Sequence, residues 1–159
     1  MSKKLVVFYS KTGNTKLVAE TIAKKAKADV EELKWKKEIK STGPMKYVRG
    51  GFNSSLKRKI KIEPLVKNID DYDTIIIGTP IWASKMNPAI RTFLKDHPLQ
   101  NKKIAVFCTC DGDGGKNLDE LKVLVEGNEL IGSKIFFRSG QKTEDEKVKE
   151  AENWVKEIK

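Results

Sequence analysis

Residues 4–16 read Lys-Leu-Val-Val-Phe-Tyr-Ser-Lys-Thr-Gly-Asn-Thr-Lys, and the fold turns on this stretch. Leu5 to Tyr9 is a short apolar run of β-branched and aromatic residues, the pattern of a buried strand. It stops at Ser10. Five of the six positions from Ser10 to Thr15 are hydroxyl, amide or glycine residues, and an apolar pattern of helical spacing begins at Leu17. A strand that runs through a small polar loop into a helix N-terminus is a phosphate site: the loop amides point outward, the helix dipole favours an anion, and hydroxyls add donors. A triphosphate loop would need a second glycine followed by Lys and Ser/Thr, and a dinucleotide fingerprint would need G-x-G-x-x-G. Neither is present. Ser10, Thr12 and Thr15 supply three hydroxyls and no obligatory cation, which suits a terminal monophosphate. The bland alternative is an ordinary helix cap rich in Ser, Thr and Asn.

Outward from this loop the chain alternates. Val18, Ile22 and Ala26 mark an amphipathic helix, and Val30 to Leu33 a weak second strand of edge character. Residues 35–68 form an insertion punctuated by Gly43-Pro44 and Gly50-Gly51, with Trp35, Ile39, Met45, Tyr47, Val48, Phe52 and Leu56 scattered through it. Thr74 to Gly78 is a strand without alternation, expected to be covered on both faces and to end at Pro80. A loop over 81–86 follows. Asn87 then caps a helix with Pro88 at its first position and Ile90, Phe93 and Leu94 facing inward. Ile104 to Cys108 is a buried strand that runs into a glycine-rich loop over 109–115. Leu118, Leu121 and Val125 mark another helix, and Lys134 to Arg138 a fifth strand. Thr143 opens a last helix with acids in its first turn and Val148, Ala151, Val155 and Ile158 on its buried stripe. The order β-α-β-insert-β-α-β-α-β-α predicts one α/β domain over 1–159: a doubly wound, five-stranded parallel sheet with helices on both faces.

The totals agree with that picture. A chain of 159 residues, 38% apolar and 34% charged, can bury a core beneath a highly charged surface. No 18-residue apolar run and no signal peptide are found, so the expectation is a cytoplasmic protein without membrane contact. Cys108 and Cys110 are too close for a relaxed disulfide, which fits a reducing compartment. One histidine and no Cys/His cluster argue against structural zinc. The net charge of +10 is local: residues 34–62 hold ten Lys/Arg against Glu38 alone, which gives +9 in that segment.

Strands one, three and four end in the loops 10–15, 79–86 and 109–115. Open parallel sheets bind ligands at such carboxyl ends, where the strand order reverses. One loop is built for phosphate, one carries Trp82, and one is glycine-rich. A flat isoalloxazine ring needs that set: an apolar face to stack on and backbone polar groups around its edge.

Thr12-Gly-Asn-Thr15 after strand one, Ile77-Gly-Thr-Pro-Ile-Trp82 after strand three and Asn87-Pro-Ala-Ile-Arg-Thr-Phe-Leu94 at the next helix resemble flavodoxin-like proteins. The chain looks most like the flavodoxin-domain family of anaerobic bacteria and archaea. The likeness runs over essentially its whole length and includes Tyr47-Val-Arg-Gly-Gly-Phe52. The resemblance implies the strand order 2-1-3-4-5, with the three loops converging on one crevice that binds FMN. It also implies that Ser10, Lys11, Thr12, Gly13, Asn14 and Thr15 hold the phosphate. Thr79, Pro80, Ile81, Trp82 and Ala83 would lie beside the ring, with Trp82 stacked on it, and Thr109, Cys110, Asp111, Gly112 and Gly115 would wrap its far side. Two departures stand out. Carrier flavodoxins usually place a tyrosine in the loop after strand four and are strongly acidic; here that loop has no aromatic residue and the chain is basic.

Other residues attract blander readings. Cys108 reads as a small core residue, and Cys110 as a crevice thiol without an evident activator. Asp111 and Asp113 read as turn residues, and His97 before Pro98 as a surface residue without a role. The basic segment 34–62 fits a solvated surface, docking of an acidic redox partner, or, less readily, nucleic acid. A phosphorylation receiver is excluded by the lack of acids at Tyr9-Ser10 and Gly78-Thr79. A low-molecular-weight phosphatase is excluded by the lack of a cysteine in the first loop. The expected function is that of an FMN-binding electron-transfer protein. The alternatives are a small FMN-dependent NAD(P)H or quinone reductase and, last, a flavin-free basic binding module.

Overall fold

Leu5 to Phe8, Ile75 to Ile77 and Ile104 to Phe107 are all but inaccessible to water, and they form the centre of one parallel sheet. The computed structural model describes residues 2–36, 60–138 and 142–158. In chain order the elements are β1 (Lys4–Phe8), α1 (Asn14–Ala26), β2 (Asp29–Glu32), a 3-10 turn (Ile69–Asp71), β3 (Thr74–Trp82), β4 (Lys85–Met86), α2 (Pro88–Asp96), β5 (Lys103–Cys110), α3 (Gly115–Leu124), β6 (Glu129–Phe137) and α4 (Glu144–Glu157). The parallel strands lie in the order β2-β1-β3-β5-β6, and β4 pairs with β3 alone. Counting parallel strands only, this is the expected 2-1-3-4-5 order. The direction of winding reverses between β1 and β3.

Each strand alternates its side chains between two cores. Val6, Phe8, Ile76, Ala105, Phe107 and Phe136 pack under α1 and α4. Leu5, Val7, Ile75, Ile77, Val106 and Cys108 pack under α2 and α3. On the first face Gly78 faces Phe107. A Cβ on Gly78 would lie 2.1 Å from the tip of that ring. The space left there lets Phe107 meet Phe136 and Trp154 edge-on, at centroid distances of 5.7 and 5.9 Å. Trp154 thereby anchors α4, a contact that the stripe drawn through Val148, Ala151, Val155 and Ile158 omits.

Strand limits differ from the sequence expectation at three places. β3 does not stop at Pro80 but continues to Trp82. β1 ends opposite Gly78, so beyond that point β3 has a parallel neighbour on one side only, where proline is tolerated. The expected loop 81–86 is a tight hairpin: Ala83 and Ser84 adopt positive φ of 46° and 58° between Ile81-Trp82 and their partners Lys85-Met86. No Asn-Gly or Asp-Gly pair announces that turn. Third, Thr109 and Cys110 belong to β5, and β6 begins at Glu129, earlier than Lys134.

The insertion is rooted in a short antiparallel ribbon. Trp35 bridges Ile62, Lys36 N–H donates to Lys61 C=O at 3.0 Å, and Glu63 N–H donates to Lys34 C=O at 2.8 Å. The expectations for Ile39, Gly43, Pro44, Met45, Tyr47, Val48, Gly50, Gly51, Phe52 and Leu56, and for the cations between Lys37 and Lys59, lie outside the described residues. Beyond the ribbon the chain docks on edge strand β2. The buried Glu31 carboxylate accepts the N–H groups of Val66 and Lys67, and the Tyr72 phenol donates to Asp29 at 2.6 Å. No described helix is long and apolar enough to cross a membrane.

Two outcomes follow for stability. The hydrogen bond to Asp29 pushes the Tyr72 phenol from 10.0 up to about 12. A raised folded-state value means the contribution is complete below pH 10 and is lost as pH rises through about 12. Tyr72→Phe should therefore destabilise the protein at neutral pH by about 1.5–3 kcal/mol in urea unfolding and flatten the alkaline limb of its stability profile. Gly78→Ala should cost about 1–3 kcal/mol by overpacking Phe107, and near-ultraviolet circular dichroism should report the disturbed aromatic cluster.

Candidate functional site

All five parallel strands point their carboxyl ends to one edge, and the loops after β1, β3 and β5 are neighbours there. The loop after β1 is held open by its own side chains. Ser10 Oγ accepts the N–H groups of Gly13 and Lys16, each at 3.2 Å, and Thr12 Oγ1 accepts from the Asn14 amide at 3.2 Å. Gly13 ends the loop at φ 94°, a conformation that strains any residue with a Cβ. It also gives α1 no capping side chain, and the first turn of α1 carries no acid. The other helices contrast with this. Asn87 caps α2 through Ala89 N–H at 2.8 Å, and α4 has a full capping box behind three acids. The positive end of α1 is thus left for an anion from outside, with the Thr12 hydroxyl, Asn14 and Lys11 on its rim. Lys16 is committed elsewhere: its ammonium sits 3.0 Å from Glu32, whose hydrogen bond and charge raise its pKa.

One buried hydrogen bond ties this loop to the sheet. The hydroxyls of Thr15 and Thr109 lie 2.7 Å apart, across the gap between the start of α1 and the end of β5. Both residues were expected to touch the ligand. In the structure both are buried and serve each other.

Beside the loop, between the β3-β4 hairpin and the loop after β5, lies an open crevice of about 410 Å³. Its walls are residues 81–84 on one side and 110–113 on the other, with Arg138 at the end. Trp82 is half-buried there and backed by two rings: Tyr9 at 5.7 Å, edge-on, and Trp35 at 6.1 Å. Gly112 stands exposed, with nothing within 4 Å of where a Cβ would be, so the backbone can approach a flat ligand. Thr79 is fully buried one layer down, where its hydroxyl accepts Asn87 N–H at 3.3 Å and so fixes the foot of the hairpin. Pro80 is buried with it. Gly115 opens α3 and gives its N–H to the carboxylate of Asp113, a residue of the crevice wall, at 2.9 Å.

The thiols are quiet. Burial pushes Cys108 up to about 12 and also raises Cys110, whose Sγ donates to Gly112 C=O at 3.1 Å. Neither is poised as a thiolate nucleophile at neutral pH. A Cβ at Gly114 would lie 2.9 Å and 3.1 Å from the two sulfur atoms, so this glycine lets the start of α3 sit on them. His97 packs on Phe93 at the end of α2, outside the crevice. Among the described residues no cluster of three or more His, Cys, Asp or Glu could hold a metal.

The structure therefore gathers Ile81, Trp82, Ala83, Cys110, Asp111 and Gly112 into one crevice beside the 10–15 loop, and it sets Thr15, Thr79, Pro80, Thr109 and Gly115 behind them. Two participants escape sequence reasoning. Trp35 lies far from Trp82 in sequence, and only the ribbon at Ile62 brings it to the hairpin. Arg138 follows the last residue of β6, and its one signal is that position at the carboxyl end of a parallel strand.

Comparison with known proteins points one way. A flavodoxin family model matches residues 3–158. A flavoprotein from Lactobacillus acidophilus, solved in complex with FMN, is 27% identical with a TM-score of 0.71; the match covers 85% of this chain and 93% of that one. A candidate flavoprotein from Bacteroides uniformis shares the fold at 21% identity and a TM-score of 0.79, over 98% of each chain. The flavodoxin of Megasphaera elsdenii also shares the fold, at 22% identity and a TM-score of 0.56, over 97% of this chain and 99% of that one.

The pairing of Thr15 and Thr109 is open to a direct test. Thr15→Val leaves a buried hydroxyl on Thr109 without its partner and should cost about 1–3 kcal/mol in denaturant unfolding. The double variant with Thr109→Val should recover most of that loss. Strict additivity would show that the two hydroxyls act independently.

Proposed function

The chain belongs to the flavodoxin family, and we propose that it binds FMN non-covalently and carries electrons between other proteins. The observation behind this reading is the pairing of two features at the point where the sheet reverses its winding. A helix N-terminus stripped of caps and acids opens beside an aromatic and glycine-lined crevice. The residues fit the cofactor. The loop amides from Lys11 to Asn14 and the Thr12 hydroxyl would hold the terminal phosphate, and Ser10 keeps that loop in shape beforehand. Trp82, stiffened by Tyr9 and Trp35, would offer the ring an apolar face, while the 110–113 backbone would meet its polar edge. The bound flavin supplies one- and two-electron chemistry; the protein orients it and limits water around it.

Docking would fall on the basic side. Lys34, Lys36 and Lys61 are exposed on the ribbon that carries Trp35, the ring behind Trp82, and they stand at the two ends of the segment that holds most of the net charge. A partner with an acidic face would be drawn to that side first.

A second reading has its own support. The loop after β5 has no aromatic residue, and Gly112 is exposed, so a substrate such as NAD(P)H or a quinone has room to reach one ring face. The two readings separate on turnover: a reductase oxidises NAD(P)H by itself in the presence of an acceptor, and a carrier needs a partner reductase.

Binding is tested by titrating the purified protein with FMN while flavin fluorescence is followed. Stoichiometric quenching at micromolar concentration is expected. Trp82→Ala should restore part of the fluorescence and weaken binding by about tenfold, which is roughly 1.4 kcal/mol. Absence of quenching in the unaltered protein would remove both redox readings together.

A further inference from the structure

We propose that Arg138 is the residue that sets the reduction potential of the bound flavin, by giving the reduced ring a cation to face. The inference rests on the FMN reading above. Arg138 is the one cation among the described residues that line the crevice shared by Trp82 and Gly112. Its backbone is fixed, since Arg138 N–H donates to Cys110 C=O at 2.8 Å and so continues the β5-β6 pairing by one residue. Its guanidinium is fixed as well, by an ion pair with Asp111. The side chain stays 27% exposed while it does so, with the cation at the end of the crevice. A cation held at the wall of a ligand crevice acts on the charge of whatever binds there.

The charge balance gives this position its consequence. Two electrons and one proton convert the neutral oxidised ring into a monoanion, so the protein sees one added negative charge when the flavin is fully reduced. Asp111 and Asp113 line the same crevice. Asp113 is spent on the Gly115 N–H, and Asp111 on the guanidinium. Without Arg138 the new charge would arise beside two carboxylates and no cation. With Arg138 present, the Asp111 charge is offset by a cation fixed at the crevice wall. The reduced form is then held more tightly than it would otherwise be, relative to the oxidised form, and that ratio of affinities is what moves the potential. Arg138 thus acts against the acidic residues of its own loop and keeps the potential from falling.

The experiment is a potentiometric titration of the FMN-loaded protein with dithionite, alongside FMN titrations of each variant and far-ultraviolet circular dichroism. Arg138→Gln should lower the affinity for reduced FMN about tenfold relative to oxidised FMN, a shift of about 30 mV to more negative potential for the two-electron couple. Asp111→Asn, which frees the guanidinium from its carboxylate, should shift the potential in the opposite direction. Lys103→Gln, at the far end of β5, should leave it unchanged. If the variants bind FMN with the potential of the unaltered protein, the role assigned to Arg138 is wrong while the binding site stands. Should Arg138→Gln fail to fold with Asp111 left unpaired, the double variant Arg138→Gln/Asp111→Asn is compared with Asp111→Asn, and equal potentials in the two overturn the proposal. If the unaltered protein does not bind FMN, the FMN reading falls and takes this inference with it.

Discussion

A missing methyl group at Gly78 governs how the layers of this protein meet. With no Cβ there, the Phe107 ring fits against β3 and meets Phe136 and Trp154 at right angles. Trp154 fixes α4 to the sheet, and α4 lies alongside α1. The start of α1 is therefore placed by packing on that face, and Lys147 of α4 reaches Asn14 at its first turn. The opposite face is held by α2 and α3, so the strand ends between the layers have little freedom to shift. Close-packed layers of this kind transmit position well, because a side chain cannot move without displacing its neighbours.

Much of this is legible in the sequence, for physical reasons that can be named. Ile75 to Ile77 are apolar without alternation because helices cover both faces of the sheet. Asn87-Pro88 and Thr143 to Glu146 announce helix starts because few residue types satisfy a first turn. The loop 10–15 stands out because its small polar residues have no other use between a buried strand and an amphipathic helix. What escapes is whatever depends on the third dimension. The hairpin at Ala83-Ser84 forms on residues with no turn preference, held by the pairing of Ile81 with Met86 and by Thr79 beneath it. Thr15 and Thr109 look unrelated in sequence, 94 positions apart, and only the fold brings their hydroxyls to 2.7 Å. Arg138 carries little local signal beyond its place at the end of a parallel strand, since the walls of the crevice come from two other segments.

Charge separates this member from the acidic carriers it resembles, and in the sequence that charge falls in one segment, residues 34–62. The crevice carries two acids and one arginine, while Lys34, Lys36 and Lys61 stand exposed on the ribbon. The site and its surroundings are thus electrostatically distinct. Residues within reach of the ring act on the energies of its oxidation states, whereas the lysines of the ribbon act at longer range, where salt screens them.

The ribbon itself has a consequence for how this chain can change over time. Trp35 and Ile62 clamp both ends of the insertion, and Trp35 is built into the core beneath the hairpin. Ile60 adds a second hold, bonding through its N–H and C=O to the Thr92 hydroxyl, so both ends of the insertion are tied to the core. Each doubling of a closed flexible segment costs only about 0.6 kcal/mol in entropy. With both ends fixed, the length and sequence placed between positions 36 and 60 could be exchanged at a small closure cost while the sheet and its crevice keep their anchors.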